Sequence, residues 1–102
     1  MSARLADLQP FLRPWATWLI THGNVQVSSV RRTYQEQVTL YNAYLRGESK
    51  YPAAPPGRSL HEQGRAFDVV GHPAELRRLG MLWESVGGRW GGRFGDPIHF
   101  EA

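Results

Sequence analysis

The segment 59–70, SLHEQGRAFDVV, joins a polar turn to a short apolar strand. The run RAFDVVG at 65–71 has the β-branched and aromatic residues typical of a strand. His61 precedes Asp68 by seven residues, and this odd spacing would place the two side chains on opposite faces of one straight strand. Gly64 lets the chain turn, so a loop histidine and a strand aspartate can converge. The segment is therefore either a turn into a buried strand or one half of a metal site.

Helical and strand patterns alternate along the rest of the chain. Apolar residues three and four positions apart predict an N-terminal helix, interrupted around Pro10 and Pro14. Its apolar stripe comprises Leu5, Leu8, Phe11, Leu12, Trp15, Leu19 and Ile20. Thr33 and Glu36 have the spacing of a capping box at the start of a second helix. The predicted order is helix 3–21, strand 25–30, helix 33–47, loop 48–58, strand 65–71, helix 72–88, turn 89–96 and strand 97–102. This order predicts an α+β fold, in which helices pack on a small antiparallel sheet.

Length and composition limit the classes of protein to which this chain can belong. A chain of 102 residues, 41% of them hydrophobic, is enough for one domain, 1–102, with a small core that a bound metal would stabilise. Cysteine is absent, so a zinc site has to use histidine and carboxylate ligands. Eleven of the twelve basic residues are arginine, and they are scattered without a nucleic-acid-binding motif. The net charge of +3 therefore indicates a solvated basic surface rather than a nucleic-acid-binding protein.

The sequence also predicts where the protein is made. No stretch reaches the roughly 18 apolar residues that a membrane span needs. The N-terminal segment 1–23 lacks the apolar run and the cleavage site of a signal peptide. We therefore expect a monomer that is synthesised in the cytoplasm without a signal peptide and does not insert into a membrane.

The C-terminal segment WGGRFGDPIHF at 90–100 supplies a third candidate ligand, His99. Two histidines and one carboxylate are the ligand types of a catalytic zinc that keeps one position open. Asp96 lies three residues before His99, and the bend that Gly95 and Pro97 allow could bring its carboxylate to the same place as a general base. The alternative for Asp96 is a turn-capping residue before the last strand.

These motifs together resemble those of zinc peptidases of bacterial cell walls, namely the D-alanyl-D-alanine carboxypeptidases and the related L-alanyl-D-glutamate endolysins of phages. The resemblance rests on Ser59-x-His61-x-x-Gly64-x-Ala66-x-Asp68, on Trp90-Gly91-Gly92 and on Asp96-Pro97-x-His99-Phe100. It covers about three quarters of the chain, from Val25 to the end. It implies the fold of the zinc D-Ala-D-Ala carboxypeptidases, a bound Zn²⁺ and peptidoglycan stem peptides as partners at the bacterial cell wall.

The resemblance also implies a role for individual residues. His61, Asp68 and His99 would be the zinc ligands, and Asp96 would be the catalytic acid or base. Arg32, five residues before Gln37 as in the family, would polarise the scissile carbonyl. The family has Ser-Gly-Tyr-Arg where this chain has Ser-Val-Arg-Arg, so Arg31 is an alternative; strand alternation sends 31 and 32 to opposite faces. Further supporting or substrate-binding candidates are Gln37, Ser59 and Trp90.

Two activities within that family remain open, and chain length favours one of them. Only 27 residues separate Asp68 from Asp96, and a helix and a turn use nearly all of them. Little chain is left for a lid over a terminal carboxylate, which favours an open cleft and an endolysin-like L-alanyl-D-glutamate endopeptidase over a D-alanyl-D-alanine carboxypeptidase. The alternative from another class is a non-catalytic module that binds cell-wall peptides.

Overall fold

A computed structural model describes residues 2–102, which form three α-helices and four strands. The helices are α1 (Arg13–Ile20), α2 (Tyr34–Leu45) and α3 (Pro73–Ser85), and the strands are β1 (Gln26–Ser29), β2 (Ala66–Val70), β3 (Arg89–Trp90) and β4 (His99–Glu101). The strands form one antiparallel sheet in the order β1-β2-β4-β3. The predicted α+β class with a small antiparallel sheet is confirmed. None of the described helices is both long and apolar enough to cross a membrane.

Strand alternation separates the hydrophobic core from a polar face of the sheet. Phe67 of β2 is the cross-strand partner of Phe100 of β4, and their rings stack with centroids 5.6 Å apart. Trp83 of α3 packs edge-on against both rings and closes the core on that side. The next cross-strand pair, Asp68 and His99, points to the opposite face because successive side chains of a strand alternate. The core thereby fixes the relative position of these two polar residues.

A third polar residue extends this pair into a row across three strands. Ser29 of β1 is the cross-strand partner of Asp68, which is in turn the partner of His99. The register between β1 and β2 is irregular between Val27 and Ser29, and such an extra residue re-aims the side chains that follow it. The row places Ser29, Asp68 and His99 on the same face of the sheet.

The N-terminal helix is shorter than the sequence analysis predicted. It begins at Arg13 and is preceded by a 3-10 turn at Leu5–Asp7, instead of running over 3–21. Pro14 occupies the first turn of α1, the place where its missing N–H is not needed. Farther upstream the backbone bonds elsewhere: Gln9 N–H donates to the carbonyl of Gly64, at 2.9 Å. A segment whose N–H groups donate to distant carbonyls cannot make the hydrogen bonds that would extend the helix.

The predicted apolar stripe is only partly buried for the same reason. Leu8, Leu12 and Leu19 are in the core, but Phe11 and Trp15 are 57% and 49% exposed. The residues before Arg13 are not α-helical. The three- and four-residue spacing of the apolar residues among them therefore does not identify the side of α1 that is buried.

The turn predicted at 89–96 contains regular structure. Arg89–Trp90 form the edge strand β3, and Gly91–Phe94 form a 3-10 helix before β4 begins at His99. The two-residue strand is too short to leave an alternating pattern in the sequence, and its partner Phe100 lies ten residues on from Trp90. The last strand is therefore shorter in the structure than the predicted range 97–102.

Helix α2 is correctly predicted but is attached to the rest of the protein by few side chains. Thr33 and Glu36 form the predicted capping box. Gln37 is the single residue of α2 that is buried, and its Nε2 donates to the carbonyl oxygen of Ala54, at 2.9 Å. The segment 46–65, which follows α2 without a further helix or strand, is therefore joined to it through this amide.

Candidate metal centre

Three side chains from different parts of the fold converge on one point. His61 lies in the turn before β2, Asp68 in β2 and His99 in β4, and each offers a ligand atom within 4.8 Å of the others. His61 Nε2 lies 3.1 Å from Asp68 Oδ1, and His99 Nδ1 lies 3.3 Å from the same oxygen. Gly64, with φ of +69°, supplies the left-handed turn that brings the loop back toward the strand, as predicted.

The outward nitrogen of each histidine has its own hydrogen-bond acceptor. His61 Nδ1 lies 2.6 Å from the carbonyl oxygen of Val30, and His99 Nε2 lies 2.7 Å from Glu101 Oε1. An acceptor at one nitrogen holds a proton there, so a metal ion has only to displace the proton of the other nitrogen to bind its lone pair. This is the usual arrangement around metal-binding histidines.

Spacing and charge both fit a zinc ion. Ligand bonds of 2.0–2.1 Å in tetrahedral geometry separate neighbouring donor atoms by about 3.3 Å, close to the observed distances. Burial raises the pKa of Asp68, but hydrogen bonds from His61 and His99 outweigh it and hold the pKa well below its usual range. Burial lowers the pKa of His99, but its bonds to Asp68 and Glu101 raise it to about 9. The surroundings thus stabilise positive charge at this point, which is the electrostatic requirement for a cation.

Asp96 is held next to this centre by a tight turn. Its N–H donates to the carbonyl of Gly91 at 2.8 Å, and its own carbonyl accepts from the N–H of His99 at 3.0 Å. Only glycine fits at 91, because a Cβ there would lie 2.2 Å from the Asp96 carbonyl oxygen. Burial raises the pKa of the Asp96 carboxyl to about 6. A pKa in this range suits the carboxyl to exchange protons near neutral pH.

The centre opens into a cleft of about 890 Å³. Besides His61, Asp68, His99 and Asp96, the cleft is lined by Ser29, Arg32 and the segment 51–54, among others. Among residues 2–102, three buried side-chain atoms without a hydrogen-bond partner are Ser29 Oγ, Arg32 Nε and Asp96 Oδ1. All three belong to residues of this cleft, and buried polar atoms are rarely left without partners. These atoms are therefore free to bond water or a polar ligand in the cleft.

Comparison with known proteins gives a result for the fold but none for the sequence. No family profile and no curated protein matches this sequence. Three solved structures resemble it: the vancomycin resistance D,D-pentapeptidase VanY in complex with Zn(II), the L-Ala D-Glu endopeptidase ChiX of Serratia marcescens and the LD-carboxypeptidase LdcB. Their TM-scores are 0.72, 0.71 and 0.68, at 16%, 22% and 23% identity. The matches cover 92%, 95% and 92% of this chain, and 71%, 81% and 64% of the other chains. This chain has the fold of cell-wall peptidases.

In this peptidase fold, Arg32 lies beside the metal centre and Arg31 does not. Arg32 Nη2 is 2.8 Å from Asp68 Oδ2, and its Nη1 donates to Gln37 Oε1 at 3.3 Å. Arg31 is exposed, and its guanidinium lies over Gly64 on the other side of the backbone. The two arginines thus point to opposite sides, as alternation predicts, and Arg32 is the one in the cleft. Gln37 connects Arg32 with the carbonyl of Ala54.

The difference between the two arginines gives a prediction. Arg32→Ala should lower kcat by roughly 10²-fold and change KM less, because a donor to a developing oxyanion acts mainly in the transition state. Arg31→Ala is the matched control and should change activity less than ~3-fold, as expected for an exposed side chain. Steady-state kinetics on a stem-peptide substrate measures both. The opposite ranking of the two variants would remove Arg32 from the reaction.

The two remaining candidates have supporting positions. Ser59 is buried in the cleft wall, and its Oγ accepts from the N–H of His61 at 3.2 Å, which holds the ligand-bearing turn. Trp90 is not at the cleft surface. It packs on Gly80, where a Cβ would lie 2.2 Å from its ring, and its Nε1 donates to the carbonyl of Pro97 at 2.8 Å. Trp90 therefore fixes the segment before His99 from the core side.

The sequence analysis did not single out Glu101. Its position two residues after His99 was a usable signal, because residues i and i+2 of a strand share a face.

Proposed function

We propose that this protein is a zinc-dependent peptidase that hydrolyses amide bonds in peptidoglycan stem peptides at the bacterial cell wall. The observation that carries the proposal is the convergence of His61, Asp68 and His99 on one point of a cleft that also holds Asp96. The similar folds of VanY, ChiX and LdcB, all of them peptidases by name, support the same class of reaction.

The residues of the cleft divide the chemistry between them. A zinc ion held by His61, Asp68 and His99 supplies Lewis-acid chemistry, which polarises a carbonyl and acidifies water. Asp96 accepts a proton from the attacking water at its unpartnered Oδ1 and delivers it to the leaving amine. Arg32 has an unpartnered Nε–H beside the ligand Asp68, and it donates to the oxygen on which negative charge develops.

The preferred bond is the one between L-alanine and D-glutamate. From β2 to β4 the chain is taken up by α3, β3 and the 3-10 helix, which leaves no insertion that could close over a terminal carboxylate. ChiX, with a similar fold, is named for this endopeptidase activity. The second candidate is a D-alanyl-D-alanine carboxypeptidase, because the similar VanYB has been solved with D-alanine-D-alanine.

Synthetic stem pentapeptides ending in D-Ala-D-Ala, analysed by mass spectrometry, test the proposal. We expect cleavage after L-alanine, abolished by a chelator and restored by zinc. Release of D-alanine would indicate the carboxypeptidase instead. Binding of the zinc-loaded protein to the peptide without cleavage would identify a non-catalytic module and contradict the proposed enzyme.

A further inference from the structure

A buried carboxylate lies directly behind one of the metal ligands. The side chain of Glu101 is 8% exposed, and its Oε1 lies 2.7 Å from Nε2 of His99. Its other oxygen, Oε2, lies 2.7 Å from Nη2 of Arg89 on the neighbouring strand β3. The backbone of Glu101 is fixed as well, because Trp83 Nε1 donates to its carbonyl oxygen at 3.0 Å. Glu101 therefore has little freedom to leave His99.

The two histidines of the centre are held by acceptors of different charge. His61 Nδ1 faces the neutral carbonyl of Val30, whereas His99 Nε2 faces the carboxylate of Glu101. A charged acceptor makes the stronger hydrogen bond. It also raises the basicity of the opposite ring nitrogen, and so strengthens that nitrogen as a ligand. Nδ1 of His99 is the nitrogen that faces Asp68 in the centre.

Arg89 alone does not explain why a carboxylate is buried here. Its side chain is 72% exposed, so its ion pair with Glu101 is screened by solvent. Arg65 is a further positive charge that acts on Glu101, and its own side chain is exposed too. The least exposed side-chain partner of the carboxylate is the imidazole of His99, which is 12% exposed.

We propose that Glu101 is a positioning residue for the metal: its carboxylate fixes the ring of His99 and strengthens Nδ1 as a ligand. This proposal rests on the proposed function, since it assumes that His99 binds zinc. It assigns to Glu101 no contact with the substrate or with the metal itself.

The test is the affinity of the chelator-stripped protein for zinc alone, measured by competition with a chromophoric chelator. Glu101→Gln keeps the size of the side chain but removes its charge, and we expect zinc to bind 10- to 100-fold more weakly, the usual effect of losing such a partner. Glu75→Gln is the matched control: Glu75 also pairs with an arginine, Arg78, but outside the cleft. Its zinc affinity should equal that of the wild type.

A second variant covers the case in which Glu101→Gln does not fold. Glu101→Asp keeps the charge for Arg89 but withdraws the carboxylate from His99 by one carbon–carbon bond, so zinc should again bind at least ~10-fold more weakly. Wild-type affinity in either folded variant would overturn the positioning role. If the wild-type protein itself bound no zinc, the proposed function would fail instead, which separates the two outcomes.

Discussion

His61→Ala and His99→Ala should each reduce bound zinc from about one ion per chain to near none, with complete loss of zinc-dependent hydrolysis. Each substitution removes one of three converging ligands, and two protein ligands do not make a structural or catalytic zinc site. Elemental analysis of the dialysed protein measures the metal directly. His22→Ala is the control, because His22 is exposed on the N-terminal side and outside the cleft. A His99→Ala protein that still held one zinc would exclude His99 as a ligand.

The same variants should also lose the additional stability that zinc gives to the wild type. A ligand that binds the folded state alone stabilises it by about 4 kcal/mol at a concentration 1,000 times its dissociation constant. Added zinc should therefore raise the unfolding temperature of the wild type and of His22→Ala, and should leave that of both ligand variants unchanged. Thermal unfolding with and without zinc measures the difference. An equal rise in all four proteins would indicate zinc binding elsewhere.

Asp96→Asn should lower turnover by at least ~10²-fold while zinc content stays near that of the wild type. The asparagine has the same shape and keeps the backbone bonds to Gly91 and His99, but its amide cannot carry the proton. Asp96 does not belong to the cluster of converging ligand atoms, so the metal should remain. Parallel measurements of kcat and zinc content separate the two effects.

Glu84→Gln is the control for Asp96→Asn, since Glu84 pairs with Arg93 on the protein surface. It should leave both kcat and zinc content unchanged. Loss of zinc together with activity in Asp96→Asn would make Asp96 a ligand or a structural turn residue instead of the acid and base.

The convergence of His61, Asp68 and His99 was predictable from the sequence because neighbouring residues fix much of its geometry. Gly64 has the positive φ that the turn before β2 requires, and at Gly91 a Cβ would collide with the carbonyl of Asp96. The five-residue step from Arg32 to Gln37 favoured Arg32 over Arg31, and Arg32 is the one of the two that lines the cleft. Each of these inferences needs only a few neighbouring residues.

Other features depend on contacts between distant residues and could not be derived in this way. The backbone around Gln9 bonds to Gly64, and no pattern within 3–21 reveals that partner. Trp90 looks like a groove residue in sequence, but a two-residue strand and the surface of Gly80 place it in the core. Glu101 is different, because it shares a face with His99 as the second residue after it in β4, and its position could have been inferred from the sequence.

Helix α2 has one buried residue, so the shape of the cleft wall and the folding of the core depend on different residues. The wall formed by α2 and the segment 46–58 is joined internally by the bond from Gln37 to Ala54, and Gln37 also accepts from Arg32, whereas Asp68 and His99 lie on the sheet above its aromatic core. Insertions or substitutions in 46–58 would change the shape of the cleft without disturbing the sheet or its aromatic core. This segment is therefore where the shape of the cleft can change, in evolution or by grafting, at little cost to the stability of the protein.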